Sequence, residues 1–448
     1  MSSSTDSQTS TDSQTLHRQH LQVIAARFER ALAATGHGAA LLNSGPLVPI
    51  FRDDQPYPFR AHAWFKAWVP LTQVPDCLLY FQPGAKPLLL FHAPEDFWYE
   101  TAALPEGAWT AHFDLRAVPS LAAARAALPQ SLQRVAYIGE PFPELARWQV
   151  GAVNPAPLLA RLDFDRAVKT PWELVQLRAA NRLGARGHRA AAAAFAGGGS
   201  EYDIHLAFLA GCGQREQELP YNAIVALNEA GSILHYQNLR RTPPAVHHSL
   251  LLDAGAEAAG YASDITRTHS ADPEFAALIG RCDRLQQQLC AGVRAGVDWR
   301  DIHLASHRLI GELLHETGIT RCAAEEAVDR GVTQVFMPHG IGHLLGLQVH
   351  DAAGRQASPE GGEIPRPEGY PYLRLTRRLE PGFVVTMEPG IYFIEPLLAR
   401  ARTEHAGRID WGRVDSLRRF GGIRIEDDLA VTAGGCENLT RDAFAATA

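Results

Sequence analysis

Three histidines lie close together in the stretch MPHGIGHLLGLQVHD, which runs from Met337 to Asp351. They are His339, His343 and His350, and the glycines between them predict tight turns. Imidazoles in such a segment are candidates for metal binding or proton transfer. Either chemistry needs acidic partners, which must come from other parts of the chain.

Two of these acids lie in the segment SLLLDAGAEAAGYASDITRTHS, residues 249–270, which predicts a β-hairpin. Asp253 ends a run of three leucines, and Asp264 lies in the returning strand. If the turn centres on Ala258-Ala259, the two aspartates stand opposite each other, with Cβ atoms about 4.5–5.5 Å apart. Carboxylates at that distance repel each other unless a cation lies between them.

Two further acids have a similar placement. Glu388 ends the apolar run FVVTM just before Pro389-Gly390. In GGIRIEDDLAVT, strand alternation places Glu426 on the face of Arg424, opposite the isoleucines. Four carboxylates of this kind are hard to explain as solvated surface, so the pattern predicts that they meet around metal ions.

The donor types indicate which metals would bind. Two divalent cations would balance the charge of the four carboxylates. An oxygen-rich set with one imidazole favours Mn²⁺, with Co²⁺ or Fe²⁺ as alternatives, and suits Zn²⁺ less well. Two metals about 3.5–4 Å apart can share a bridging hydroxide, polarise a carbonyl and stabilise an oxyanion. The sequence therefore predicts a dinuclear hydrolytic centre.

At these residues the sequence resembles the pita-bread metallopeptidase superfamily, which includes prolidases (Xaa-Pro dipeptidases), aminopeptidase P and methionine aminopeptidase. The matching motifs are D-x-G-x₈-D, the H-G-I-G-H loop, the E-P-G turn and R-I-E-D, in that order. Residues 51–81 are similar to the N-terminal domain of bacterial prolidases. The resemblance covers roughly residues 20–440. It implies an α/β N-terminal domain followed by an α+β pita-bread (creatinase/aminopeptidase-like) catalytic domain.

The resemblance also implies a role for each matching residue. Asp253 would hold one metal, His343 and Glu388 the other, and Asp264 and Glu426 would bridge both. Glu388 is the acid–base candidate, and His350 would contact the scissile carbonyl or the developing oxyanion. The remaining substrate-side candidates are His235, Arg374, Tyr221 and His339, of which the first two would face the substrate carboxylate.

The implied activity is hydrolysis of Xaa-Pro dipeptides by the metal-bridging hydroxide, with release of proline. Aminopeptidase P, which shares the metal set but takes longer peptides, is the nearest alternative. A pita-bread binding module without enzymatic activity is another, and the complete ligand set argues against it. Organophosphate hydrolysis, a side activity of some relatives, stays open. One position departs from the family pattern D-x-G-x-E-Y, because Ala258 replaces the usual tyrosine and its hydroxyl.

Local patterns predict the elements that carry these residues. MSSSTDSQTSTDSQT predicts a disordered tail over residues 1–16 rather than a signal peptide. Strands alternating with helices predict an α/β domain over residues 17–163. A long helical stretch from Phe164 to Ala196, in which Pro171 fits the first helical position, opens the catalytic domain, residues 164–448. The proline-rich segment 351–372 predicts a long loop.

The overall composition limits the possible partners. The net charge of −7 argues against nucleic acid, and no apolar run is long enough to span a membrane. The six cysteines lack C-x-x-C spacing, which is typical of free thiols in a reducing cytoplasm. The resemblance implies that small peptides are the ligands and that the protein is a homodimer.

Overall fold

The computed structural model describes residues 3–447, with side chains described from residue 14 onward. The chain forms two compact units. Unit 1 contains the residues up to Arg166, together with Thr170–Val175 and Ser358–Gly362. Unit 2 contains Ala167–Lys169, Gln176–Ala357 and the residues from Glu363 onward. The domain boundary at residue 164 stays a prediction.

Unit 1 is built around a mixed six-stranded sheet with the strand order β4-β3-β2-β1-β5-β6. The strands are β1 (Ala39–Asn43), β2 (Leu78–Phe81), β3 (Leu88–His92), β4 (Asp114–Val118), β5 (Val135–Ile138) and β6 (Ala152–Val153). Its helices are α1 (Ser3–Thr35), α2 (Ala63–Trp68), α3 (Leu121–Ala127) and α4 (Ala156–Arg166). Leu41, Leu90 and Tyr137 are fully buried in its core.

Helix α1 begins at Ser3, inside the segment for which we predicted a disordered tail. The described backbone over residues 3–16 is thus helical, whereas residues 1 and 2 and all side chains before residue 14 lie outside the described residues. Unit 1 thus contains both the strands and the helices that the prediction of an α/β domain requires.

The helical stretch predicted from Phe164 to Ala196 is two helices, because α4 ends at Arg166 and α5 spans Pro171–Ala196. Proline at the first position of α5 disfavours helical backbone in the residue before it, which separates the two helices. At the start of α5, the Thr170 backbone N–H donates a 2.8 Å hydrogen bond to the Glu173 carboxylate. The helix start predicted at Pro171 is confirmed, whereas residues 167–170, which lie inside the predicted helical stretch, are not helical.

Unit 2 combines helices with small antiparallel sheets. After α5 its helices are α6 (Glu201–Cys212), α7 (Pro273–Ala291), α8 (Trp299–Glu316), α9 (Ala324–Asp329), α10 (Val332–Phe336), α11 (Glu395–Glu404), α12 (Trp411–Leu417) and α13 (Leu439–Ala446). Its strands are β7 (Ile224–Leu227), β8 (Leu250–Asp253), β9 (Glu257–Ala258), β10 (Tyr261–Ala262), β11 (Thr266–His269), β14 (Val384–Met387), β15 (Gly390–Tyr392), β16 (Gly422–Arg424), β17 (Asp427–Val431) and β18 (Cys436–Asn438). The sheets are β11-β8-β7, β14-β17-β18, β10-β9 and β15-β16.

Alternate residues around β16 of unit 2 face either the hydrophobic core or a cavity. Ile423 and Ile425 pack in the hydrophobic core with Val385 and Met387. Arg424 and Glu426, which alternate with the isoleucines, line a cavity instead. This confirms the predicted division of faces in GGIRIEDDLAVT.

The segment 351–372, predicted to be a loop, contains a short hairpin formed by β12 (Gln356–Ser358) and β13 (Gly361–Glu363). No helix in the described part of the chain is long and apolar enough to cross a membrane.

Candidate metal centre

The first two acids lie on the hairpin of β8 and β11, but its register differs from the predicted one. Asp253 pairs with Thr266, and Ala258 pairs with Tyr261. The two turn residues are thus the next pair, Ala259 and Gly260, both with positive φ angles, of 48° and 89°. A two-residue turn of this kind usually contains Asn or Gly at its first position. The prediction of a turn at Ala258-Ala259 was therefore wrong.

The corrected register still places the two aspartates on one face. Hydrogen bonds from Ala254 to Ile265 and from Ser263 to Ala256 continue the same pairing through the region between β8 and β9. Residue 255 is therefore opposite Asp264, so Asp253 and Asp264 are diagonal neighbours rather than directly opposed residues.

The Tyr221 hydroxyl lies between the two carboxylates. Its oxygen is 2.8 Å from Asp253 Oδ1 and 2.6 Å from Asp264 Oδ1. Burial, followed by the charges of Asp253 and Asp264, raises the pKa of Tyr221 well above its usual value, so the hydroxyl keeps its proton. The hydroxyl proton can be donated to only one of the two carboxylates at a time. The Tyr221 oxygen nevertheless lies within hydrogen-bond distance of both Asp253 Oδ1 and Asp264 Oδ1.

His343 is oriented by its own backbone. Its Nδ1–H donates a 3.0 Å hydrogen bond to the Leu344 carbonyl, which leaves Nε2 without a proton in the neutral ring. Nε2 lies 3.4 Å from Asp264 Oδ2 and 4.0 Å from Glu388 Oε1. A histidine whose Nδ1–H is held by a carbonyl has the arrangement of a metal ligand.

Glu388 and Glu426 complete the group of acids. The Glu388 backbone N–H donates to the Ile341 carbonyl, which fixes the residue at the end of β14. Glu426 lies between β16 and β17, and its Oε2 accepts a 2.7 Å hydrogen bond from the Thr266 hydroxyl. Ligand atoms of Asp264, His343 and Glu426 lie within 4.8 Å of one another.

This donor set fits divalent cations. Glu426 Oε1 is a buried oxygen that has no hydrogen-bond partner among the described residues. Burial and the nearby carboxylates, with that of Asp264 first, raise the pKa of Glu426 well above its usual value. Burial also raises the pKa of Glu388, to about 7. Shifts of this direction show that the protein groups around Glu388 and Glu426 do not fully compensate the negative charge, and divalent metal ions would supply the rest.

The sequence analysis assigned no role to Arg424, which the structure places among these acids. Its Nη2 lies 2.5 Å from Asp253 Oδ2, and its Nε donates to Thr266 Oγ1 at 3.1 Å. Its Nη1 donates to the Tyr392 hydroxyl at 3.1 Å. The only signal in the sequence was that Arg424 shares a strand face with Glu426.

His339 joins this network through Tyr392. Its Nδ1–H donates to the Gly340 carbonyl at 2.8 Å, so Nε2 accepts a 2.8 Å hydrogen bond from the Tyr392 hydroxyl. The same hydroxyl accepts from Arg424, so His339 reaches Asp253 through two intermediate side chains. Nδ1 also lies 3.7 Å from Glu388 Oε2.

A cavity of about 1180 Å³ brings most of the predicted site together. The predicted residues that line it are His235, Asp253, Asp264, His339, His343, His350, Arg374, Glu388 and Glu426. Tyr221 is not among the lining residues and contacts the aspartates instead. Ala258 is also not among the lining residues.

The substrate-side residues line the more open part of this cavity. His235, His350 and Arg374 are all exposed. The His350 ring lies 4.5 Å from the His343 ring at an angle of 78°. Partial burial, followed by the charges of His343 and Arg374, lowers the pKa of His350, so this imidazole is neutral at neutral pH.

Comparison with known proteins covers nearly the whole chain. Residues 15–164 match the family described as Xaa-Pro dipeptidase, N-terminal domain, and residues 175–433 match metallopeptidase family M24. The chain is 48% identical over 434 residues to the Xaa-Pro dipeptidase of Xanthomonas axonopodis pv. citri (strain 306), which covers 96% of this chain and 98% of that relative. The identity and both coverages are the same for the Xaa-Pro dipeptidase of Stenotrophomonas maltophilia (strain K279a).

Solved structures confirm the predicted architecture. The aminopeptidase PepP of Pseudomonas aeruginosa is 25% identical, with a TM-score of 0.72 over 95% of this chain and 98% of that chain. Aminopeptidase P from E. coli is 23% identical, with a TM-score of 0.73 over 94% of this chain and 95% of that chain. The fold is thus an N-terminal α/β domain followed by a pita-bread domain. By these matches the chain belongs to metallopeptidase family M24, among its Xaa-Pro dipeptidases.

Proposed function

We propose that this protein hydrolyses Xaa-Pro dipeptides in a metal-dependent reaction and releases the C-terminal proline. The observation that carries the proposal is the single cavity lined by four clustered carboxylates, His343 and a free guanidinium, that of Arg374. The Xaa-Pro dipeptidases at 48% identity support the same activity. The complete set of ligand types argues against a binding module without enzymatic activity.

Five residues would hold two divalent cations. In this proposal Asp253 binds one ion, His343 and Glu388 bind the other, and Asp264 and Glu426 bind both. Mn²⁺ is our first choice because four of the five ligands offer oxygen, with Co²⁺, Fe²⁺ or Zn²⁺ as alternatives. Bound there, two such ions would polarise the scissile carbonyl and lower the pKa of a water molecule.

The chain's own groups would move the protons. The Glu388 side chain is 20% exposed, compared with 8% for Asp264 and 12% for Asp253. It is therefore best placed to accept a proton from the attacking water at a carboxylate oxygen and deliver it to the proline nitrogen. His350, neutral and exposed in the cavity, would donate a hydrogen bond to the carbonyl oxygen as its negative charge develops.

Arg374 and His235 would recognise the end of the substrate. A guanidinium binds a carboxylate through two parallel hydrogen bonds, so it can distinguish a chain end from a continuing peptide. Among the described residues, the Arg374 side chain has no ionic or hydrogen-bonded partner, and it is available to a ligand. Tyr221 and His339 would keep the carboxylates in place around the peptide. Proline makes the scissile bond a tertiary amide without N–H, which a general peptidase handles poorly.

Product analysis tests the proposal. Protein stripped with a chelator and reloaded with Mn²⁺ is incubated with Ala-Pro and with Ala-Pro-Ala, and free proline and Pro-Ala are separated by chromatography. We expect proline from Ala-Pro, and less cleavage of the tripeptide. Equal or faster cleavage of Ala-Pro-Ala would support an aminopeptidase P activity, and no cleavage of either peptide would refute both.

We also propose a homodimer in the cytoplasm. Consecutive aromatic residues of unit 1 are strongly exposed, with Phe97 at 86%, Trp98 at 77% and Tyr99 at 66%, and such a patch commonly lies in an interface. The six cysteines are free thiols, which is consistent with a reducing compartment. Light scattering of the wild type and of Trp98→Ser tests the oligomeric state, and a monomeric wild type would refute the dimer.

A further inference from the structure

A buried ion pair lies next to the histidine segment of unit 2. Lys169 Nζ is 2.7 Å from Asp351 Oδ2, and both side chains are only 1% exposed. Lys169 lies between α4 and α5, whereas Asp351 directly follows His350 in the sequence. Two charges removed from water contribute little net stability, but they restrict the geometry of the groups that carry them.

The Leu344 carbonyl connects this pair to His343 and to the residue next to His350. The Asp351 backbone N–H donates a 2.9 Å hydrogen bond to the Leu344 carbonyl. The same carbonyl accepts the 3.0 Å hydrogen bond from His343 Nδ1. Because Asp351 is adjacent to His350, its position determines where His350 lies relative to His343. The two rings are in contact, with centroids 4.5 Å apart.

The segment between the histidines packs tightly on the ion pair. A Cβ on Gly346 would collide with Asp351 Oδ2 and would lie 2.8 Å from Lys169 Cε, so a larger residue there would displace the ion pair. The Lys169 backbone N–H donates to the Gly382 carbonyl at 2.8 Å, and Leu345 donates to the Val384 carbonyl at 2.9 Å. Lys169 and the histidine segment are therefore anchored to the same stretch of chain, at the start of β14.

We propose that Lys169 and Asp351 are positioning residues that fix His350 and His343 relative to each other. Neither touches the substrate in this proposal, which rests on the proposed function. Loss of the pair should let the segment relax. His350 would then be misaligned with the scissile carbonyl, and His343 would be a poorer metal ligand.

The experiment compares Lys169→Met, Asp351→Asn and the apolar double variant Lys169→Met/Asp351→Leu with the wild type. The control is Arg178→Met, which breaks the 2.6 Å ion pair with Glu437, and neither of these residues is among the described cavity-lining residues. For each protein, kcat and KM on Ala-Pro are measured with Mn²⁺, the Mn²⁺ affinity is measured by calorimetry, and the Tm is measured.

We expect each single variant to lower kcat by about tenfold or more and Mn²⁺ affinity by about tenfold, the range found for groups that orient metal ligands. KM should change by less than about threefold, since the carboxylate contacts remain. The control should keep both kcat and Mn²⁺ affinity. The apolar double variant should recover Tm, because an apolar pair avoids the desolvation of charge, but it should not recover kcat.

Wild-type kcat in the double variant would overturn the proposal, because the pair would then serve stability alone. Wild-type kcat and Mn²⁺ affinity in the single variants would overturn it as well. If the single variants fail to fold, the double variant still decides. If the wild-type protein releases no proline, the proposed function fails, whereas the Mn²⁺ affinities still test the positioning of His343.

Discussion

Replacement of Arg374 by methionine should reduce the preference of the enzyme for a free proline carboxylate. Hydrogen bonds to charged groups contribute about 1.5–3 kcal/mol. The Arg374 side chain is exposed, so water solvates the guanidinium when no carboxylate is bound, and this lowers the penalty for an unmatched substrate. We therefore expect the lower end of that range, about 1.5 kcal/mol, which corresponds to a preference of about tenfold in kcat/KM. A buried guanidinium would give about 100-fold.

The assay measures kcat/KM for Ala-Pro and for its C-terminal amide, which have the same scissile bond but differ in charge. Arg374→Met should lower turnover of Ala-Pro about tenfold and leave the amide nearly unchanged. Arg378→Met is the matched control, because Arg378 is also exposed, donates to the Gly296 carbonyl and is not among the described cavity-lining residues. An equal loss on both substrates, or no wild-type preference for Ala-Pro, would refute the carboxylate clamp.

The remaining predictions concern the metal centre, the hairpin and acid stability. Asp264→Asn should abolish hydrolysis and weaken Mn²⁺ binding in calorimetry while leaving Tm within a few degrees, and an active variant would exclude Asp264 as a ligand. Ala258→Tyr should change kcat by less than about twofold, because Ala258 pairs with Tyr261 outside the cavity lining; a clear rise would mean that the hydroxyl reaches the site. Burial lowers the pKa of His307 to about 3, so between pH 6.5 and 3 the unfolded chain binds a proton that the folded chain does not. As the pH is lowered through this window, the free energy of unfolding should therefore decrease, by up to about 1.4 kcal/mol per pH unit. If Tm is measured from pH 7 to pH 4, the decrease should be smaller in His307→Gln than in the wild type.

Local patterns were sufficient to find the ligand candidates. Asp253 and Glu388 each end an apolar run, and a carboxylate at the end of a buried strand is costly unless a partner compensates its charge. Glu426 follows Ile425, and the period of two in a strand assigns these neighbours to opposite faces. Each of these patterns depends only on neighbouring residues in the sequence, so it can be recognised without the tertiary structure.

The hairpin register could not be found in this way. It depends on a turn in which Ala259 adopts a φ angle of 48°, a conformation that is unfavourable for alanine and therefore leaves no recognisable turn signal. The break between α4 and α5 had a signal in Pro171, which fits both a helix start and the end of a preceding helix. In the structure Pro171 begins α5, and the Thr170 backbone N–H donates to the Glu173 carboxylate.

The hydrogen-bond partners of Asp253 could not be predicted from local patterns, because they are distant in the sequence. Its Oδ1 contacts the Tyr221 hydroxyl, 32 positions earlier, and its Oδ2 contacts Arg424, 171 positions later. Both oxygens thus lie within hydrogen-bond distance of a protein donor, and the Tyr221 donor is shared with Asp264. Glu426 Oε1, in contrast, has no such partner among the described residues. A carboxylate held at both oxygens is fixed in orientation before any ligand arrives, which lowers the entropy that binding must remove. Arg424 therefore contributes to the site by orienting a ligand, and an arginine in that role has no sequence signature apart from the strand face it occupies.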